Sequence, residues 1–537
     1  MNATGISGIR GLSPILAVVI ALVSVAVPAK TLRWASQGDT STVDPHAQNE
    51  SFTNAINGLV YEYLVSYDKA VNLTPQLAES WKNTSPTTWV FNLRKGVKFS
   101  DGTPFTADDV VFSIERAQHP NSQLRQYSNL LGKAVKVDDY TVDLVQKDPN
   151  PILLEHATTI FIMSKAWSVK HKVERPLDYK SGEDSYAARN AMGAGPWMLV
   201  TREPDVKTVL RRNPYWWGKF EGNVTEIVYM PIRSEATRTA ALFSGQVDFV
   251  LDPPVQDIGR IRANKALKVV EGMENRVVFL GFDQQRDELL YSNVKGKNPF
   301  KDRRVRQAIY QAIDVQALKS KIMRGLSAPT GGITPSILAS NPEAEKRLPF
   351  DPNAAKRLLA EAGYPNGFEV GLNCPNNRYI NDEQICTAVV GMLGRIGIQV
   401  KLTTQPRATY FPRLEKYDTS FFMLGWGGAI TDAQTMLSPV LRSYDKATGQ
   451  GSFNYGRYFD PKLDQLIDAA AREMDPARRK EFIRQAIAQH NANVYNVPLH
   501  RQVIPWAMRA NVHVVHRADN WLIGEWVTVG DRGQAPN

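Results

Sequence analysis

Between residues 89 and 99, hydrophobic and polar positions alternate closely enough for two short strands, and Asp101-Gly102 supplies a turn after them. Thr106, followed three residues later by Asp109, has the spacing of a capping box. Val110, Val111 and Ile114 then give the next helix one apolar face. Asp302 stands before another helical pattern in which Val305, Ile309, Ile313 and Leu318 share a stripe and Phe300 is placed to staple the entry. Asp351-Pro352, Asp460-Pro461 and Asp475-Pro476 each pair a capping carboxylate with a proline in the first turn, where a missing N–H costs nothing. Gly363 closes the first of these helices. Leu463, Leu466, Ile467 and Ala470 stripe the second, and Phe482, Ile483, Ala486 and Ile487 the third. Residues 31–36, 368–372 and 399–402 read as strands and 53–65 as a helix, so helices alternate with strands and the class is α/β.

The amino terminus has a different pattern. Arg10 precedes an almost uncharged apolar stretch, residues 12–27, and then Pro28, Ala29 and polar Lys30-Thr31. This is the pattern of a secretory signal peptide with cleavage after Ala29, and the stretch is shorter than the roughly 20 residues a membrane span needs. No cysteine lies near the cut to carry a lipid. The remaining residues, 30–537, exceed the roughly 250–300 at which a single core stops growing, so at least two lobes are expected. A 43% apolar content and a mean hydropathy of -0.31 describe an ordinary globular chain, with no later run long enough to span a bilayer. The net charge of +10 is spread over short clusters such as Arg303-Arg304 and Arg478-Arg479-Lys480 on expected helices; with export, this argues against a nucleic-acid partner.

Motifs for chemistry are scarce. HExxH, the phosphate-binding GxxxxGK[ST], the GxSxG elbow and paired CxxC are absent, which weakens an enzymatic reading. Gly193-Ala194-Gly195 runs into Pro196-Trp197 and reads as a tight loop. The histidines, His500 and His513 among them, stand without obvious metal partners. Asp108 and Asp109 are adjacent on a helix and point apart, so they suit the helix N-terminus better than paired acid-base work. The two cysteines, Cys374 and Cys386, lie close enough for a local disulfide in an oxidising compartment; two buried free thiols remain open. Aromatic residues gather in loops at Trp216-Trp217, at Trp426 inside Gly425-Trp426-Gly427-Gly428, and at Phe453-Asn454-Tyr455. Such groups line ligand clefts or pack the interior.

Several segments in series resemble the dipeptide, oligopeptide, nickel and opine solute-binding proteins (family 5) of ABC importers. They include Leu73-Thr74-Pro75-Gln76-Leu77-Ala78-Glu79, Phe91-Asn92-Leu93-Arg94-Lys95-Gly96, Asp101-Gly102-Thr103-Pro104-Phe105-Thr106-Ala107-Asp108-Asp109-Val110, Asn213-Pro214-Tyr215-Trp216-Trp217, Ser244-Gly245-Gln246-Val247-Asp248, Phe300-Lys301-Asp302-Arg303-Arg304-Val305-Arg306 and Glu361-Ala362-Gly363-Tyr364-Pro365. The resemblance implies a two-lobed periplasmic-binding-protein fold of type II, cluster C. Lobe I would take residues 30–274, with an extra subdomain over about 68–191, lobe II 275–501, and a C-terminal return to lobe I 502–537, with crossings near Glu274 and Arg501.

It further implies a monomeric periplasmic clamp, without catalysis or cofactor, that delivers a peptide or small solute to an inner-membrane ABC permease with its ATPase subunits. In peptide-binding relatives an aspartate shortly after the residue matching Trp426 neutralises the peptide amine; here Ala429 takes that place, with Asp432 the nearest substitute. A zwitterionic peptide would then lack its partner, which opens the ligand to opines, modified peptides or anions. Trp426 is the expected cleft aromatic and Arg407 the expected carboxylate ligand, with Gln37, Asn454 and Tyr455 as further contacts. A secreted hydrolase without recognisable motifs and an extracytoplasmic sensor or chaperone built on the same clamp are the other classes, and a chelated metal or haem is a further ligand type.

Overall fold

The computed structural model describes residues 30–335, 342–427, 431–446 and 448–530. The expected signal peptide and Ala429 lie outside them. Two α/β lobes share one mixed sheet. Its order runs from Gln399–Gln405 through Glu369–Pro375 and Phe421–Trp426 to the long strands Leu267–Phe282 and Asn496–Arg509. It continues through Phe249–Val250, Thr31–Ser36, Glu226–Pro231 and Lys207–Arg212 to Trp197–Glu203, with Ser327–Pro329 added beside Asn496–Arg509. In each lobe the inner strands are parallel: Thr31–Ser36 with both Glu226–Pro231 and Phe249–Val250, and Glu369–Pro375 with both Gln399–Gln405 and Phe421–Trp426.

Both faces of this sheet are covered, as parallel sheets require. In one lobe, Val278, Leu280 and Phe282 pack with Phe300, Ile309 and Val389, while Val277 and Phe279 face the opposite way onto Tyr410, Leu437 and Ile467. In the other, Leu32 and Trp34 pack with Trp197, Tyr229 and Trp506, and Ala35 faces Leu242, Val250 and Ile261. A separate antiparallel sheet, ordered Ala78–Ser85, Thr88–Leu93, Thr141–Val145, Lys133–Asp138, has its own core of Phe91, Phe99, Val110 and Leu144.

Leu267–Phe282 and Asn496–Arg509 run through both lobes, paired antiparallel. Met273 faces Val503 and Val277 faces Arg501, so Glu274, Asn275 and Arg276 bulge opposite Gln502 alone. The bulge is held from inside: Arg276 Nε donates to both Glu274 oxygens (3.1 and 3.0 Å), Gln502 Nε2 donates to Glu274 Oε2 at 3.0 Å, and the Asn275 N–H reaches Ala518 O at 3.0 Å.

Local signals set most element ends. Thr106 and Asp109 form the capping box of Ala107–Gln118, and Asp351, Asp460 and Asp475 cap Pro352–Glu361, Pro461–Arg472 and Pro476–Asn493. Three expectations change. The helix expected at 53–65 is Ser51–Val60, with Glu50 as its cap. Only Thr88–Leu93 is a strand within 89–99, and its partners are the upstream Ala78–Ser85 and the later Thr141–Val145; Val97 and Phe99 instead bury at the Asp101-Gly102 turn. The stripe from Val305 to Leu318 is broken, because Asp314 accepts the Ala317 N–H (2.9 Å) and caps a new turn after Arg303–Ala312. The close-approach loop at Gly193 and Gly195 is explained by the end of Ser51–Val60: a Cβ there would stand 2.1 and 2.6 Å from Val60 O.

Buried histidines make the fold acid-sensitive. Burial alone pushes His500 from the ordinary 6.5 to about 4, so it stays neutral when folded and takes up a proton first in the unfolded chain. Its contribution is therefore intact above pH 6.5 and is lost as pH falls toward 4. A His500→Leu variant should gain stability relative to the wild type on going from about pH 7.5 to about pH 4.5 in urea denaturation; an offset that does not change with pH would exclude this role.

Candidate functional site

A cavity of about 880 Å³ lies between the lobes. Its walls are loops at the carboxyl ends of parallel strands: 36–41 after Thr31–Ser36, 251–256 after Phe249–Val250, 376–384 after Glu369–Pro375, and Arg407 after Gln399–Gln405. That is where open α/β sheets place ligands. The bulge residues Glu274, Arg276 and Gln502 also line it.

The lining carries six arginines, and ion pairs occupy five of them. Arg202 pairs with Asp39 (3.5 Å), Arg233 with Asp205 (2.7 Å), Arg238 with Asp252 (3.2 Å), Arg276 with Glu274 (3.0 Å) and Arg407 with Glu50 (3.7 Å). The last joins the two lobes across the cavity. The acidic residues are engaged in turn. Asp252 also accepts from Ser36 Oγ (3.1 Å) and the Gln37 N–H (3.0 Å), and Glu235 and Glu383 accept from Gln256 and Thr404. Burial raises the Asp252 carboxyl above the usual range, against the pull of Arg238.

Arg378 differs. Its backbone N–H donates to Asp382 Oδ2 at 2.9 Å and its guanidinium lies 5.2 Å from the Tyr379 ring centre, but no carboxylate of the described residues stands within 4.0 Å of it. Burial, and after it the neighbouring Arg276 guanidinium, hold it below the ordinary arginine value, although a guanidinium stays charged at neutral pH. The loop beneath is rigidly built. Asp382 Oδ2 also accepts the Tyr379 N–H (3.0 Å), and the Tyr379 hydroxyl accepts from Gly425 N (2.7 Å) and donates to Gly425 O (3.2 Å). A side chain at Gly425 would collide with the Tyr379 ring at 2.6 Å, and one at Gly427 with Asn275 O at 2.4 Å. Gly425 and Gly427 therefore serve ring and backbone approach.

Of the sequence-derived contacts, Gln37 and Arg407 line the cavity and the other four do not. Trp426 ends Phe421–Trp426 on the same face as Phe422 and Leu424, since strand side chains alternate. It packs into the lobe core, 4.5 Å from the Phe453 ring, and donates Nε1–H to Thr435 O at 2.7 Å. Asp432 is held by both guanidinium nitrogens of Arg479 at 2.7 Å, so it is not free for an amine. Asn454 donates to Arg442 O (3.2 Å) and Tyr458 O (3.1 Å), and Tyr455 is buried in the same core. Trp216 and Trp217 both donate to buried Glu62, at 2.8 and 2.7 Å, and are packing residues. Arg378 was missed although its signal was present: an Asn-Asn-Arg-Tyr run directly after a strand of a parallel sheet. Cys374 and Cys386 are joined by a disulfide at the two ends of that run.

Among the described residues, no group of three or more His, Cys, Asp or Glu is placed to hold a metal ion, and no helix is long and apolar enough to cross a membrane. Two lobes sharing two strands around a polar cavity define a solute-binding clamp. The model of the bacterial extracellular solute-binding proteins, family 5 Middle, matches residues 72–448, and the chain belongs to that family: it is the periplasmic substrate-binding protein of an ABC import system. It is similar to heme-binding protein A of Haemophilus influenzae, 28% identical over 469 residues that cover 82% of this chain and 81% of that protein. It is also similar to glutathione-binding protein GsiB of Salmonella paratyphi A, 27% identical over 86% of this chain and 87% of that protein. The fold matches the periplasmic binding protein DppA from Helicobacter pylori in complex with peptide STSA (TM-score 0.80, 22% identity, 93% of this chain and 98% of that one). It also matches AgaA from A. tumefaciens in complex with agropinic acid (TM-score 0.77, 25% identity, 94% and 99%).

Replacing Tyr379 by Phe removes the hydroxyl from both Gly425 backbone groups, leaving Gly425 O its longer bond from Arg276 Nη1 at 3.4 Å. The expected cost is about 1–3 kcal/mol in chemical denaturation; a loss well under half of that would mean Gly425 finds another partner.

Proposed function

We propose that the solute is a small peptide-like anion whose carboxylate binds Arg378. The observation that carries this reading is the pairing within the lining: five of its six arginines stand in ion pairs, while Arg378 is the one lining arginine of the described residues with no carboxylate within 4.0 Å. A charged group in a part-dry cleft with no partner costs free energy that a carboxylate recovers through two parallel hydrogen bonds. A free α-amine is compatible with such a solute, since Glu235 and Glu383 line the cavity and accept from the neutral groups of Gln256 and Thr404. A cavity of about 880 Å³ suits something of tripeptide size. The names of the relatives agree in kind: one is a glutathione-binding protein and one was solved with agropinic acid. Gln37 and Arg407 add polar contacts from the two lobes, and Arg407 would exchange its 3.7 Å contact with Glu50 for the ligand.

In this reading residues 30–274 and 502–537 form lobe I, with about 68–191 as an added subdomain, and 275–501 form lobe II, hinged near Glu274 and Arg501, beside the bulge opposite Gln502. Residues 1–29 direct export and are removed. The mature chain acts as a monomer without catalysis, and its closed form is what the membrane permease and its ATPase subunits recognise.

Native mass spectrometry of the purified protein, followed by release of the bound solute, tests the class. A carboxylate-bearing compound is expected, and Arg378→Gln should weaken its binding by about tenfold to a hundredfold. A neutral or cationic solute, or one bound equally well by the variant, would overturn the assignment.

A further inference from the structure

Cys374 stands near the end of Glu369–Pro375 and Cys386 in the early turns of Asp382–Gly394, both fully buried and joined to each other. Every residue from 376 to 384 lines the cavity. The disulfide therefore encloses nearly the whole lobe II wall of the site, including Arg378 and its anchor Asp382. We infer that Cys374 and Cys386 are positioning residues for the solute: their bond holds this loop in its binding arrangement, so that Arg378 is presented to the ligand before it arrives.

The strand and helix do not need the bond to stay packed. Val370 and Leu372 on the strand, and Ile385, Val389 and Leu393 on the helix, are buried in one shared core. The segment between them has less apolar support, chiefly Tyr379 with Ile380 beside it. It is polar, with Asn376 and Asn377 exposed, and it passes through a left-handed residue at Asn381 (φ 54°). Its fixed points are Tyr379 on Gly425, Asp382 on the backbone of Arg378 and Tyr379, and Asn377, whose Oδ1 accepts the Arg407 N–H at 2.7 Å. Opening the bond removes the covalent tie across the base of this loop, which then samples more conformations, and binding must order it again, a cost that falls on affinity. Through Asn377 the same loop reaches Arg407, so both cationic groups proposed to face the solute depend on one cross-link.

The inference rests on the cavity reading above, and the test separates the two. Hydrogen exchange is compared between ligand-free wild type and a Cys374→Ala, Cys386→Ala double variant, with Cys374→Val, Cys386→Ala as a space-filling second form should the first not accumulate. Amides of 376–384 should exchange about tenfold faster while Thr31–Ser36 and Leu267–Phe282 keep wild-type protection. Unchanged exchange in the loop, or an equal loss across all of lobe II, overturns the proposal. Titration with S-methylglutathione, a thiol-free tripeptide anion, supplies the second arm. Arg378→Gln should cost about tenfold with the disulfide present and less than about threefold without it. An equal cost in both backgrounds shows that the bond does not position Arg378. If S-methylglutathione fails to bind the wild type, the ligand reading fails, and the exchange comparison still decides the role of the disulfide.

Discussion

Two backbones, Leu267–Phe282 and Asn496–Arg509, are hydrogen-bonded to each other in both lobes, and their register slips where Glu274, Asn275 and Arg276 oppose Gln502. Two buried charges sit at that slip. A buried carboxylate and a buried guanidinium are each costly alone and tolerable only with complete hydrogen bonding, which the Glu274, Arg276 and Gln502 side chains provide for one another. The consequence is geometric: the bulge is a polar, internally bonded point in an otherwise apolar sheet, and it opens into the floor of the cavity. The strands that join the lobes thus also form part of the wall that meets the solute.

The electrostatics of the site follow from a second constraint. A cleft rich in arginine repels itself unless acids are interleaved, and each of five arginines has its own carboxylate. Those pairs compensate five of the six arginines in place. In the proposed reading selectivity falls to the exception, Arg378, which sits near Arg276 and over Tyr379 with no carboxylate of the described residues within 4.0 Å. A carboxylate would gain at Arg378 an ion pair that the other five arginines already have within the chain.

Features encoded by neighbours in sequence were legible. Capping carboxylates with proline at the first turn, the Thr106/Asp109 box and the strands at 31–36 and 399–402 depend on residues a few positions apart, and the structure has them. Where local signals compete, the reading failed: the apolar stripe through Ile313 and Leu318 suggested one helix, but Asp314 offers a better cap than a continuing helix offers Ile313. The site was legible only in part. Trp426 was placed in the cleft on the strength of its glycines, yet Gly425 and Gly427 admit Tyr379 and the bulge backbone, contacts made by residues some 50 and 150 positions away. Asp432 was an acid without an apparent partner until Arg479, from a different helix, was brought to it. Long-range pairing decides which polar residues remain free, and no local pattern records it.

The same bookkeeping bears on closure. Polar contacts between the lobes across the cleft include Arg407 to Glu50 at 3.7 Å and Thr431 Oγ1 to Glu155 at 3.0 Å on the subdomain side, and Val255 and Ile258 pack with Leu326 in a small apolar cluster. Part-exposed pairs of this kind contribute about 0–1 kcal/mol each. In the proposed reading these polar contacts leave the balance between open and closed forms for the solute to shift. A ligand shifts that balance only by the difference in its affinity for the two forms. Arg378 and Arg407 sit on lobe II while Gln37 and Asp252 sit on lobe I, so a solute reaching both sets gains its full contact energy only when the lobes are together. Weak polar contacts and strong bridged ones are therefore two sides of one requirement: a clamp that closes on its cargo must not close nearly as well without it.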